Sequence, residues 1–281
     1  MNKLHKKDFT IAFKTGSDAN KSKFKKECVQ GEIYFATDTK KIYVAETTAG
    51  ASDATLAQFD PDATGLPFTN TYSVETDGTN DDIAIGVDPF GNLQGSGNRL
   101  GITGTSHTLC FWMKITGTIP HRVNFFYNSS IQIRTRTDGF RFYTSGANKH
   151  HIHTITAGTW YFLALSCDGT NHTSYVKSAS DNLSATVVGN SFTPTGYATI
   201  GPSCNANYDE FATFNSALSA SDITNIYNSG VPGDLSGYAT LAGHWRMGDS
   251  DGGTGTTITD EMGGEDAHLR NGAFIDTDIP S

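Results

Sequence analysis

The chain has 281 residues, of which 17% are charged and 30 are glycine, and its acids are 22 Asp against 7 Glu; a turn former this abundant beside so little of the helix-forming acid excludes a coiled coil or a helical bundle. Seventeen Phe, 11 Tyr and 3 Trp supply a core's worth of apolar surface and exclude disorder, while no apolar run nears a membrane-spanning length. The net charge of −9 is uneven, with 10 Lys and Arg against 5 acids in residues 1–41 and 10 against 24 thereafter, so the body repels nucleic acid and the head is a docking surface of different character.

In chain order, the start MNKLHKKDFTIAFKTG is basic without the apolar stretch of a secretion signal, so no classical export route is expected. Residues 8–13 alternate as a short strand. Residues 17–28 form a basic helix capped by Ser17 or Asp18, which carries Lys21, Lys23, Lys25 and Lys26. GEIYFATDTKKIYVAE then reads as a hairpin, with Ile33 and Phe35 on one strand, Ile42, Tyr43 and Val44 on the other, and Thr37–Lys40 as the turn. Residues 46–66, rich in Ala, Thr, Asp and Gly, are the expected interdomain linker.

From Pro67 onward the texture changes to short alternating runs separated by Gly, Asn and Asp, among them DDIAIG, TLCFWMKIT, IQIRTR, FRFYTS, IHTIT, WYFLALSC and HTSYVKS. About ten such runs predict a mainly β, antiparallel, jelly-roll β-sandwich, here spanning 67–232. One helix over 219–229, capped by Ser219 or Ser221 and stopped by Gly230 and Pro232, is expected as a lid on a sandwich edge. The four cysteines, Cys28, Cys110, Cys167 and Cys204, are too far apart for a zinc knuckle, and Cys110 and Cys167 read as core residues.

Two resemblances follow from these residues. Gly31-Glu32-Ile33-Tyr34-Phe35-Ala36-Thr37-Asp38-Thr39-Lys40-Lys41-Ile42-Tyr43-Val44 resembles an N-terminal module of bacteriophage tail-fibre and other virion proteins, patterned as G-E-I-x-F-x-T-D-T-x-K-I-Y-V. That likeness implies attachment to a phage particle through residues 1–45, with Lys21, Lys23, Lys25, Lys26, Ile33, Phe35 and Tyr43 as candidate contacts. Thr108–Lys114, Trp160–Thr170 and Tyr208–Ser219 resemble, in the right order, three strand motifs of laminin-G-like, concanavalin A-like lectin domains. A tryptophan segment that opens the domain in many relatives appears last here, as Leu241–Asp249 and Thr256–Gly264. Residues 233–281 are therefore expected as an edge hairpin that packs Trp245 on the sandwich.

Candidate chemistry is sparse. The sandwich glucanases of this fold carry a Glu-x-Asp-x-(x)-Glu run, whereas after Glu75 this chain has only Glu210, Glu261 and Glu265, none in such a run. Asp209 and Glu210, being adjacent on a strand, are expected on opposite faces. No catalytic residue is assigned. His151 and His153 have a strand spacing that could chelate a metal, without an identifiable third ligand. Ca²⁺ is the better candidate cofactor, with Asp77, Asp82 and Asp209 as oxygen ligands. Glycan-binding candidates pair an aromatic with hydrogen-bonding neighbours: Tyr127 with Asn128, Arg141 with Tyr143, and Asn205 with Tyr208.

The expected function is a non-enzymatic phage structural protein in the virion, assembled in the host cytoplasm and displaying a lectin-like sandwich as fibre, decoration or adhesion unit. Its partners would be other virion proteins of the capsid, neck or tail, and a host surface glycan, with no membrane involved. Nucleic acid is only the less favoured alternative for the basic head, through Lys21, Lys23, Lys25 and Lys26. Phage fibres are commonly homotrimers, although no heptad stretch here enforces that state. The alternatives are a glycan-binding module of a cell-surface protein and, further off, a polysaccharide-degrading enzyme.

Overall fold

The computed structural model describes four short strands within residues 13–59 and, from residue 68 onward, all but residues 88–91, 93–96, 120–122, 137, 146 and 153. The chain divides into two compact units, Met1–Pro67 and Phe68–Ser281. In the first, β1 (Phe13–Gly16), β2 (Ile33–Ala36), β3 (Lys41–Ala45) and β4 (Leu56–Phe59) form one sheet in that order. The predicted hairpin is present, with Ile33 opposite Val44 and Phe35 opposite Ile42. The linker expectation needs correction, because Leu56–Phe59 pairs antiparallel with β3. Leu56 and Phe59 are its only large apolar residues, too few to stand out among the surrounding Ala, Thr and Asp. The strand expected over 8–13 is described only from Phe13, and the basic helix with Lys21, Lys23, Lys25 and Lys26 lies outside the described residues.

The second unit runs through β5 (Ser73–Asp77), β6 (Asp82–Ile85), β7 (Ser106–Ile115), β8 (Asn124–Asn128), β9 (Ile131–Arg136), β10 (Gly139–Thr144), β11 (Ala147–Ile152), β12 (Trp160–Asp168), β13 (Asn171–Lys177), β14 (Asn182–Val188), β15 (Ala198–Ile200) and β16 (Asn205–Phe214). Then come α1 (Ala220–Tyr227), β17 (Leu241–Trp245), β18 (Thr257–Ile258), β19 (Ala267–Arg270) and β20 (Phe274–Asp276). One sheet has the order β11-β10-β9-β8-β15-β6-β19-β18; the other is β14-β13-β12-β7-β16-β5-β20, with β17 also paired to β16. All these strand pairs are antiparallel. The expected sandwich is therefore the fold.

Strand β7 shows why the sequence reads as a nearly continuous apolar run. Leu109, Phe111, Met113 and Ile115 point into the core between the sheets, while Cys110 and Trp112 point the other way into a second apolar cluster. Phe162 and Ala164 of β12 and Phe214 of β16 join that second cluster, and Ile223 and Ile226 of α1 cover it. A strand buried on both faces has no polar alternation to show. The helix is capped as expected, the Ser219 hydroxyl accepting from the Asp222 N–H while the Asp222 carboxylate accepts from the Ser219 N–H. It ends at Asn228, whose φ of 42° breaks it before Gly230. It thus lies over the middle of one outer face, above β7, β12 and β16, and not at an edge.

The C-terminal expectation holds in part. β18 and β19 pair as a hairpin at the edge of the first sheet, where β19 joins β6. However, β17 extends along β16 and β20 pairs with β5 in the second sheet, so the segment is spread over both layers. Trp245 is fully buried, its ring centroid 5.3 Å from that of Phe211. Strand β11 was placed too late by the sequence, at IHTIT, because Ala147–Ile152 (ANKHHI) has no apolar alternation and sits at a sheet edge. Cys110, Cys167 and Cys204 are free and buried, and burial pushes their thiols up, those of Cys167 and Cys204 to about 12.

Candidate functional site

The two outer faces of the sandwich differ. One is covered over its central strands by α1, whereas side chains pointing outward from β8, β9 and β10 stay half-exposed. There the register sets Tyr143 opposite Gln132, Gln132 opposite Tyr127, and Tyr127 opposite Thr199. Arg141 lies opposite Arg134 in the next outward row. Because outward residues of neighbouring strands stack about 4.8 Å apart, Tyr127, Gln132, Tyr143, Arg134 and Arg141 make one continuous polar and aromatic surface, with Thr199 buried at its end. A cleft of about 220 Å³ opens beside it, lined by Ser129, Ser130, Gln132, Tyr143, Thr144 and Ser145.

Three of the six glycan candidates, Tyr127, Arg141 and Tyr143, are brought together on this face. The other three are not. Asn128 is fully buried, donating to the carbonyls of Thr195 (3.1 Å) and Tyr197 (2.9 Å) and accepting from the Ser130 N–H. Tyr208 is buried between the sheets, its ring 6.4 Å from that of Phe111. Asn205 belongs to the other sheet, where it meets the hydroxyl of Thr116. Sequence reasoning missed Gln132 and Arg134, although the polar alternation in IQIRTR marks one outward face of β9. A larger cleft of about 620 Å³ lies between the β13–β14 turn and α1. Its one aromatic, Tyr227, is already engaged, stacked 5.4 Å from Trp112 and lying under the Lys177 ammonium.

The acids near Trp245 form a different kind of cluster. At Asp209–Ala212 two residues of β16 oppose one of β7, a β-bulge, and Glu210 takes φ 46°. The extra residue resets alternation: Tyr208 and Phe211 both face the main core, while Asp209 and Glu210 turn toward one cluster instead of opposite faces. Glu210 Oε2 lies 2.5 Å from His244 Nε2, and Glu210 Oε1 accepts from Arg246 Nε at 3.1 Å. Asp209 accepts from Asn70 Nδ2 at 2.7 Å, Asp249 accepts from the Thr71 N–H at 3.0 Å, and Arg246 Nη2 donates to the Thr69 carbonyl at 2.5 Å. The cluster ties the entry segment 69–71 and the C-terminal segment to the bulge. Asp209 and Glu210 are engaged by protein groups, and the cavity that Glu210 borders, beside Trp112, Phe162 and Ile226, is of about 10 Å³.

The same contacts set the protonation states. Burial would lower His244, but hydrogen bonds to Glu210 and Glu261 outweigh it and hold the imidazole at about 9. The bond to His244 is the main reason Glu261 falls to about 2, and burial lifts Asp249 to about 6. Burial, reinforced by Glu210, raises Asp209 well above the carboxylate range. A histidine raised in the folded state contributes stability that is full below its unfolded value of about 6.5 and is lost as pH rises through about 9. The melting temperature should therefore fall between pH 7 and pH 10 by an amount equivalent to a few kcal/mol. His244→Asn should flatten that alkaline fall; an unchanged profile would show that His244 is not held protonated.

The proposed Ca²⁺ ligands do not converge. Asp82 is held in a two-bond pair by Arg270, at 2.7 and 2.6 Å. Asp77 sits opposite Asn205, four residues along β16 from Asp209, and accepts from the Thr79 N–H in its own turn. Asp209 is sequestered by Asn70 and Glu210. No group of three or more His, Cys, Asp or Glu arranged to hold a metal occurs among the described residues. His151 points inward, its Nε2 2.8 Å from the Ser174 hydroxyl, and His153 lies outside the described residues.

Residues 77–224 match the family described as the concanavalin A-like lectin/glucanases superfamily. The chain belongs to that superfamily. In this superfamily member the match takes in the β7, β12 and β16 motifs and stops before the tryptophan segment. No curated protein matches the sequence. Among solved structures, a Bacteroides ovatus protein to which carbohydrate binding has been ascribed aligns over 90% of this chain and 71% of its own at 16% identity, with a TM-score of 0.54. A Trypanosoma rangeli sialidase aligns over 70% of this chain and 43% of its own (10% identity, TM-score 0.38). Tailspike protein 2 of an Escherichia coli O157:H7 bacteriophage aligns over 67% and 31% (11% identity, TM-score 0.42).

Proposed function

We propose that this chain is a non-enzymatic structural protein of a bacteriophage particle, held by its N-terminal unit and displaying a superfamily sandwich that recognises a carbohydrate. The observation carrying the recognition reading is the contrast between the two outer faces. The face under α1 buries Trp112, Phe162 and Phe214, whereas the other holds Tyr127 and Tyr143 half-exposed beside Gln132, Asn148 and two arginines. Sugars are bound by such pairings of an aromatic ring with planar hydrogen-bonding side chains. The absence of catalysis is supported by Asp209 and Glu210, both buried and engaged by Asn70, His244 and Arg246. Attachment is supported by the β2–β3 hairpin, whose residues carry the resemblance to virion modules.

Co-purification tests this reading. The intact protein should travel with assembled particles through a density gradient, and a chain lacking residues 1–66 should not. Equal co-purification of both would overturn N-terminal attachment, and release of reducing sugar from a polysaccharide panel would overturn the non-enzymatic role.

A further inference from the structure

Four of the ten cations of the sandwich unit are held in ion pairs with carboxylates among the described residues. Arg99 meets Glu265, Lys114 meets Asp278, Arg246 meets Glu210 and Arg270 meets Asp82. Arg134, Arg136 and Arg141 are not held in this way: among the described residues none of them forms an ion pair with a carboxylate, nor do Lys149 and Lys177. This is not for want of acids, since residues 68–281 hold 20 acidic against 10 basic side chains. The chain around them is poor in acids, with none between residues 89 and 137 and Asp138 alone in the β9–β10 turn.

Arg134 and Arg141 stand directly opposite each other on β9 and β10, a position in which like charges repel. Both are held there by the Tyr143 ring, whose centroid lies 3.9 Å from the Arg134 guanidinium carbon and 4.8 Å from that of Arg141. Arg141 Nη2 is further fixed by Asn148 Oδ1 at 2.8 Å. The Nε atoms of both arginines are buried without a hydrogen-bond partner. Two rigid, oriented, uncompensated guanidinium groups fit an oxyanion, because each presents a planar fork of donors that matches a carboxylate or sulfate.

We propose that Arg134 and Arg141, held over Tyr143, form a subsite for the oxyanion of an acidic sugar within a longer glycan. The proposal rests on the carbohydrate reading above and narrows it to anionic saccharides, carrying either a uronate carboxylate or a sulfate ester. Tyr127 and Gln132 extend the surface from this subsite toward β15, Tyr127 lying two strands, or about 10 Å, from Tyr143. Arg134 and Arg141 also hold the Tyr143 phenol below its ordinary value against the opposing effect of burial. Nucleic acid is the less suitable anion, because the acidic remainder of the unit repels a long polyanion that extends beyond the patch.

The test is titration of the full-length protein with polygalacturonate, dextran sulfate, neutral dextran, neutral galactan and a single-stranded oligonucleotide. The protein should bind polygalacturonate or dextran sulfate, the two arms separating carboxylate from sulfate. Arg134→Gln with Arg141→Gln should weaken that binding at least tenfold and reduce its salt dependence. Both side chains are half-exposed, so the melting temperature should hold; should the double variant fail to fold, the single variants make the same test with at least threefold losses. Acidic-polysaccharide binding that survives the substitutions would overturn the subsite, as would preference for the oligonucleotide. Binding to neutral glycans alone, sensitive to Tyr127→Ala, would overturn the subsite and leave the carbohydrate reading standing. Binding to none of the polysaccharides would overturn both.

Discussion

Replacing Glu210 with alanine should lower the stability of the sandwich by about 3–5 kcal/mol, the cost of removing one member of a buried ion pair. Glu210 is 4% exposed and is the shared acceptor for His244 and Arg246. His244 is itself buried, and with its closest carboxylate gone it must either stay charged beside Glu261 alone or shed its proton. Arg246 would keep Asp249 and the Thr69 carbonyl, so its segment would loosen rather than detach. For a unit of this size the loss corresponds to a fall of roughly 6–20 °C in melting temperature. Glu210→Gln should be milder, since it retains an acceptor for one of the two donors. A melt of Glu210→Ala within about 2 °C of the parent would mean that the bulge and its charged cluster contribute nothing to holding the sheets.

A chain ending after Pro232 should not fold its sandwich at all. Removing residues 233–281 strips β19 from β6 and β20 from β5, leaving an unpaired edge on each sheet. It also takes Trp245 out of the main core, where the ring packs against Phe211 and its Nε1 donates to the Glu265 carbonyl at 2.9 Å. Trp245→Ala alone should cost about 3–5 kcal/mol. The shortened chain should give no cooperative thermal transition by near-ultraviolet circular dichroism. Cooperative melting close to the full-length temperature would restore the picture of a dispensable edge hairpin.

The fold was legible where burial left a periodic trace. The alternation in β9 and β10, the long apolar runs of β7 and β12, and the Ser219 cap each reflect one local physical rule. What escaped depended on distant partners or on backbone geometry. Nothing in Asp209-Glu210 announces a left-handed φ at 210, so strict alternation put the two carboxyls on opposite faces. Asp82 looks like any turn aspartate until Arg270, 188 residues away, is placed against it. Tyr208 and Asn128 had the composition of a sugar site but sit in the core and under a loop, because residue type near a strand end does not reveal which way it points. Tyr127, Arg141 and Tyr143 were found because the outward face of an antiparallel sheet is read off every second residue.

The pairing of β5 with β20 and of β6 with β19 joins the first strands of the sandwich to its last. During synthesis, those early strands must leave the ribosome and wait for nearly the whole unit to follow before their edges are covered. Loop closure over such separations is slow, and exposed strand edges invite pairing between neighbouring nascent chains. Maturation should therefore be post-translational and sensitive to chaperone supply, with late-truncated products directed to aggregates rather than to partly working molecules.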